Sequence, residues 1–216
     1  MEVAVVGATG PTGRKVCQLA LAAGHTVRAT RRHDSSLPLP ASDALRVVHA
    51  DAVTGTGMRE AIAGADAVLS VLGAPSYTPR QITVYSKGTR TIIDALREVG
   101  NGNRLVVISS GLTYPPPLGH GLVADRIIFP LLRNVIGRTL YSDMRRMEEL
   151  VRTCDDIAWT IMRPGRLFDA ATVSQYRVDL DTPTQGYTSR TDLAAAMVAE
   201  LGTDRHVHQA ISPTTR

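Results

Sequence analysis

Short, unbroken apolar runs alternate along this chain with longer stretches in which apolar residues recur every three or four positions. Residues 3–6 (VAVV) are the first run, and an uninterrupted run ending in glycine predicts a strand buried on both faces. From residue 11 to about residue 23, Val16, Leu19, Ala20 and Ala23 share one helical face, with Gly24 as the stop. Further strands are predicted over 25–30 and 44–50 and within 65–73. A helix from about residue 81 to 99 stops at Gly100, and 104–110 is a fifth strand. The stripe Leu140, Met144, Met147, Val151 and Cys154 predicts a helix from about 138 to 154, and 157–165 holds a sixth strand halted by Pro164. Past Gly165 the pattern weakens to pieces such as 174–180, before a helix over 191–201 that Ser189 or Thr191 would cap. Residues 114–121 read as one long loop, stiff at its prolines and flexible around Gly119, His120 and Gly121.

Strands alternating with helices predict an α/β fold, a doubly wound parallel sheet covered on both faces, with a small irregular C-terminal part. At 216 residues the chain is expected to form a single domain, 1–216. Apolar residues at 44% and charged residues at 20% fit an ordinary globule. Aromatics at 4% are too few for the stacking platforms of single-stranded nucleic-acid binders. The net charge of +4 is scattered, with no basic run longer than Arg31–Arg32 or Arg145–Arg146, which points to a solvated surface and one local anion site. The two cysteines, Cys17 and Cys154, each in a predicted helix, make neither a disulfide framework nor a metal spacing, so a cytoplasmic setting is expected. With no signal peptide ahead of the first strand and no apolar stretch near the roughly 20 residues of a membrane span, the expected partner is a small molecule. Neither a membrane nor nucleic acid is expected, and the assembly would be a monomer or homodimer.

Between the first strand and the first helix stands GATGPTG (7–13). A helix start offers unpaired amides and the positive end of the helix dipole, a seat for a pyrophosphate. Gly7 would permit the tight turn, Gly10 the approach of a phosphate, and Gly13 close packing of helix on strand. Pro11 suits the first helical position but cannot donate, which leaves its neighbours' amides and the hydroxyls of Thr9 and Thr12. Sites for NAD carry an acidic residue at the end of the second strand; this chain has Arg31–Arg32 there. A guanidinium fork matches a phosphate, so NADP(H) is the expected cofactor, against the plainer reading of two solvated arginines. Asp51, followed by Ala52, either accepts from an adenine amino group or caps its own turn. Leu72, Gly73, Ala74 and Pro75 would let the chain pass under a ribose. All these positions end strands, where ligands of open α/β sheets bind. No metal set is found.

The combination GATGPTG, Arg32, HADA (49–52), LGA (72–74), VVISSG (106–111) and WTIMRPG (159–165) resembles the atypical and extended branch of the short-chain dehydrogenase/reductase superfamily. It is similar to the NAD(P)H-binding group that holds flavin reductase/biliverdin-IXβ reductase and the NmrA-like proteins, over roughly residues 3–201. The resemblance implies a Rossmann-type sheet, bound NADP(H), a substrate pocket built from about residue 165 onward, and a serine beside the nicotinamide, here Ser109 or Ser110. It departs from the superfamily's tyrosine–lysine pair: Tyr141 is followed four residues later by Arg145, which cannot give up its proton. Tyr141 is then a catalytic acid or a half-buried helix residue, and Ser110 orients the reactants or bonds its own backbone. Tyr85 stands where the extended branch commonly has asparagine. Tyr114, Phe129, Trp159, Phe168 and Tyr176 are aromatic candidates for the acceptor pocket. The function implied is NADPH-dependent hydride transfer to a small conjugated acceptor, a flavin, quinone or carbonyl compound. The alternative is an NADP(H)-binding redox sensor of NmrA-like type that turns nothing over.

Overall fold

The structure, a computed structural model, describes residues 1–32, 37–74, 77–100, 102–115, 119, 121–181 and 186–216. Pro75 and His120 lie outside the described residues. Strand β1 (Glu2–Val6) leads into α1 (Pro11–Ala22), then β2 (Thr26–Arg31), β3 (Leu45–His49), α2 (Met58–Ile62), β4 (Ala67–Ser70), α3 (Val84–Val99) and β5 (Arg104–Ile108). A short α4 (Phe129–Leu131) precedes α5 (Arg138–Arg152) and β6 (Ala158–Met162). The remainder holds β7 (Arg166–Phe168), β8 (Arg177–Leu180), β9 (Tyr187–Ser189), α6 (Arg190–Ala199) and β10 (Gln209–Thr214).

Among the described residues one sheet of eight strands runs β3-β2-β1-β4-β5-β6-β10-β8. Its pairings are parallel except the last, where β8 lies antiparallel to β10. This is the Rossmann-type doubly wound arrangement, with the strand order reversing beside β1. Alternate side chains of β1 explain its unbroken apolar run: Val3 and Val5 join Val16, Ala20, Leu193 and Met197 of α1 and α6 on one face. Ala4 and Val6 join Ile62, Ile92, Ile93, Met144 and Met147 of α2, α3 and α5 on the other. The C-terminal part is more regular than its sequence predicts: β10 extends the main sheet, and β7 pairs in parallel with β9. Cys17 is buried in α1, and burial pushes its thiol up to about 12, so it is no nucleophile at neutral pH. Cys154 lies just past the end of α5, not inside the helix.

Helix α3 starts at Val84, later than its apolar pattern predicts, and the cause is tertiary. Thr83 makes no side-chain cap. The buried carboxylate of Asp143, on α5, accepts instead from the amides of Tyr85 at 2.9 Å and Ser86 at 3.4 Å, and from the Ser86 hydroxyl. A carboxylate supplied by another helix does the work of an N-cap. Ser189 caps α6 in the expected way, accepting from the Asp192 amide at 2.9 Å.

Candidate functional site

The carboxyl ends of β1, β2, β4, β5 and β6 open onto one edge of the sheet, and the turn from β1 into α1 sits at its middle. Gly7 has φ of +88°, and a Cβ there would lie 2.6 Å from the Val71 carbonyl oxygen. A Cβ on Gly13 would lie 2.2 Å from the Gly7 carbonyl oxygen. Both glycines are thus demanded by the protein's own backbone. Gly10 is different: its φ is −71°, and the nearest atom to a Cβ would be the Gly7 carbonyl oxygen at 3.5 Å. The space beside Gly10 is therefore not filled by this chain. Gly10 also begins α1 without any side-chain cap, Pro11 is at the first position, and the first turn carries no acidic residue. The amides of Thr12 and Gly13 have no partner within the helix. An uncapped helix start with an open cradle fits a diphosphate.

Thr30, at the end of β2, accepts from the Gly7 amide at 3.2 Å and ties that strand to the glycine turn. Arg31 is half-buried beyond it, and Arg32 is exposed. Asp51 caps its own turn, accepting from the Val53 amide at 2.8 Å, and Ala52 is buried behind it. Gly73 is exposed at the end of β4 while Leu72 and Ala74 are half-buried. The Ala74 amide donates to the Tyr85 hydroxyl at 3.2 Å, so Tyr85 anchors this loop from α3. Burial raises the Tyr85 phenol above its ordinary range, against the opposing Ala74 bond.

The two serines after β5 point to different neighbours. Ser109 is buried, donating to Glu148 Oε1 at 2.6 Å and sharing a hydrogen bond with Thr113 at 2.9 Å. Ser110 is half-exposed, accepts from the Leu112 amide at 3.2 Å, and lies beside the Tyr141 phenol. The Tyr141 ring is buried, and its hydroxyl lies 3.1 Å from that of Tyr77. Burial first, and the Tyr77 bond second, push the Tyr141 phenol well above the usual tyrosine range, with Ser110 pulling the other way. Arg145 donates to the Thr113 carbonyl at 3.1 Å and lies 5.6 Å from the Tyr114 ring centre. Tyr77 is half-exposed and lines a groove of about 690 Å³ between the β4–α3 loop and the start of α5. No sequence signal singled out Tyr77; only the fold brings its hydroxyl to Tyr141.

Behind the serines lies a buried ion pair that the sequence reading also missed. Arg163, in the WTIMRPG stretch, reaches Glu148 with Nη2 at 2.6 Å and Nε at 3.1 Å. Its guanidinium also lies 4.7 Å from the Tyr114 ring centre. Arg163 thus ties the end of β6 to α5, and Ser109 ties the end of β5 to the same Glu148 carboxylate. The aromatic candidates do not converge on one pocket: Trp159 is buried in the core against His208, while Phe168 is exposed on β7.

A family model described as NAD(P)H-binding matches residues 7–204. A chloroplastic protein of Arabidopsis thaliana is 29% identical over 210 residues, 92% of this chain and 71% of that protein. YwnB of Bacillus subtilis is 25% identical over 216 residues, 97% of this chain and 96% of its own length. Among solved structures, a Streptococcus pneumoniae protein assigned as an NADH-flavin reductase superposes with a TM-score of 0.78 at 24% identity, covering 100% of both chains. A short-chain dehydrogenase/reductase of Veillonella parvula in complex with NADP gives 0.79 at 14% identity, covering 98% of this chain and 93% of that one.

Proposed function

The chain belongs to the NAD(P)H-binding family, and from that premise we propose that it is an NADPH-dependent reductase of a small conjugated acceptor: a flavin, quinone or carbonyl compound. The observation that carries this reading is the open cradle at Gly10, beside the bare amides of Thr12 and Gly13, with Arg32 exposed one strand away. Residues Gly7 to Gly13 would hold the diphosphate, with Thr9 and Thr12 hydroxyls in reach. Arg32, backed by Arg31, would hold the extra phosphate of the adenosine ribose. Leu72, Gly73 and Ala74 would flank the nicotinamide ribose, and Asp51 and Ala52 the adenine. When bound, a reduced nicotinamide supplies hydride, and the rest is placement of an acceptor against it.

Ser110 and Tyr141 are the groups that would orient that acceptor. Their hydroxyls are neighbours, and the half-exposed Tyr77, whose hydroxyl lies 3.1 Å from that of Tyr141, connects the pair to solvent. A phenol with a raised pKa stays protonated, so Tyr141 acts as a donor throughout the neutral range and does not become an anion on mild alkalinisation. Replacing Tyr141 with phenylalanine is expected to slow reduction of a carbonyl acceptor about a hundredfold and reduction of a flavin far less. The carbonyl rate of the unaltered protein should show no fall from Tyr141 ionisation below about pH 10. A Tyr77→Phe variant should lose less rate than Tyr141→Phe while keeping NADPH affinity. Equal rates for Tyr141→Phe and the parent on a carbonyl would remove the acid role.

The cofactor assignment is tested by Arg32→Asp. Calorimetric titration should show NADPH affinity lower by about tenfold or more, the size of a lost charge-assisted phosphate contact, with NADH affinity nearly unchanged. Equal losses for both nucleotides would exclude Arg32 as the phosphate reader. A second reading, an NADP(H)-responsive sensor, is favoured by one feature: Arg145, which replaces lysine, is occupied by Thr113 and Tyr114. Binding of NADPH with no oxidation across flavins, quinones and carbonyls would select that reading.

A further inference from the structure

We propose that the segment 122–136 docks this protein onto an anionic lipid surface, lying in the headgroup region with its apolar face inward. This stretch is the helical excursion between Ser110 and Tyr141: π-helical turns Ala124–Ile128 and Leu132–Ile136 flank α4, and none of their residues is buried. Exposure is 81% at Leu122, 62% at Val123, 59% at Ile127 and 66% at Val135, with Leu131 and Ile136 near half. Of the 15 large exposed hydrophobic residues among those described, seven lie in this one segment. Ile127, Leu131 and Val135, four apart, form a stripe along it. An apolar face of this kind, open and contiguous, calls for an occupant.

Charge selects the occupant. Arg126 and Arg133 lie within the segment, with Arg138 just beyond it. Arg126 and Arg138 are exposed. The one acidic residue of the segment, Asp125, is turned to its own loop, accepting from the Gly119 amide at 2.9 Å. Apolar side chains fringed by arginines suit phosphate headgroups over acyl chains. A second copy of this chain would bring like charges together across a twofold axis. Spanning is not at issue, because no helix among the described residues is long and apolar enough to cross a membrane. Surface docking needs no such helix. Val135 and Ile136 also line the groove that Tyr77 enters, so the docked face is continuous with that groove.

The test is flotation of the full chain with two kinds of vesicle: equal parts phosphatidylglycerol and phosphatidylcholine, or phosphatidylcholine alone. Binding to the mixed vesicles is expected, weaker by at least about tenfold on the neutral ones. A Leu122→Ser, Ile127→Ser, Leu131→Ser variant keeps the charge and should lose at least about thirtyfold in partitioning. Its melting temperature and NADPH affinity should stay close to the parent's, since Leu122 and Ile127 are mostly in solvent and Leu131 is half-exposed; a parent-like melt with lost partitioning supports docking. Three results would overturn it: no binding to mixed vesicles, binding that the serine variant retains in full, or a concentration-dependent dimer that the serine variant abolishes without vesicle binding by the parent. Failure of NADPH to bind would leave this outcome untouched and would count only against the reductase reading.

Discussion

Replacing Arg163 with leucine is expected to lower the stability of the fold by about 3–5 kcal/mol, the range for stripping one partner from a buried ion pair. Glu148 is 0% exposed and Arg163 only 6%, and the guanidinium meets both carboxylate oxygens. The other contacts of Glu148 are weaker substitutes: the Ser109 hydroxyl, and Arg152 at 3.9 Å. Asp181, which also meets Arg163 at 3.3 Å, is itself largely exposed and adds little. The cost of the single variant is mostly that of an orphaned buried charge, so a second change should recover much of it. Arg163→Leu with Glu148→Leu is expected to regain at least about half the loss, because an apolar pair of similar volume avoids desolvation. Denaturant midpoints of the two variants measure this. A single variant as stable as the parent would mean that the pair does not hold the end of β6 to α5.

The elements legible in the sequence are those whose signal is local. The run at Val3–Val6 identifies β1 because a strand covered on both sides has no polar face to interrupt it. GATGPTG announces a strand–turn–helix junction, since Gly7 and Gly13 answer to atoms within the same turn or the adjacent strand end. Ser189 is readable as a cap for the same reason. The start of α3 was not readable, because Asp143 caps it across 58 positions of sequence. Nor was the pairing of Ser109 with Glu148, 39 residues away, or of Tyr77 with Tyr141, 64 residues away. The helical turns between 124 and 136 were not readable because Pro130 stands in the middle of the run, where a proline signals a break in a helix rather than its continuation. Strand β10 carries Pro213, a poor strand signal, and is placed by β6 on one side and β8 on the other. The candidate site follows the same division. The half proposed for the cofactor is written in one loop and a few strand ends, whereas the half proposed for the acceptor is assembled from residues far apart in the chain.

Gly10→Ala and Gly13→Ala are expected to separate what the cofactor requires from what the fold requires. The Gly13 substitution sets a Cβ 2.2 Å from the Gly7 carbonyl oxygen and 2.8 Å from the Ala8 Cα. Those are backbone atoms, which cannot rotate aside, so α1 must lift from β1. A loss of about 2–3 kcal/mol follows from such overpacking, together with weakened nucleotide binding. The Gly10 substitution meets nothing closer than 3.5 Å and keeps an ordinary φ of −71°. Its effect on stability should stay within about 1 kcal/mol, the cost of alanine at a helix cap. Its methyl group would nevertheless occupy the space that a diphosphate needs, and NADPH affinity should fall at least about tenfold. Thermal melts with calorimetric titration of each variant distinguish the two effects. If the Gly10 variant binds NADPH as well as the parent does, the open cradle is not the diphosphate seat, and the assignment of the glycine turn to the cofactor is lost with it.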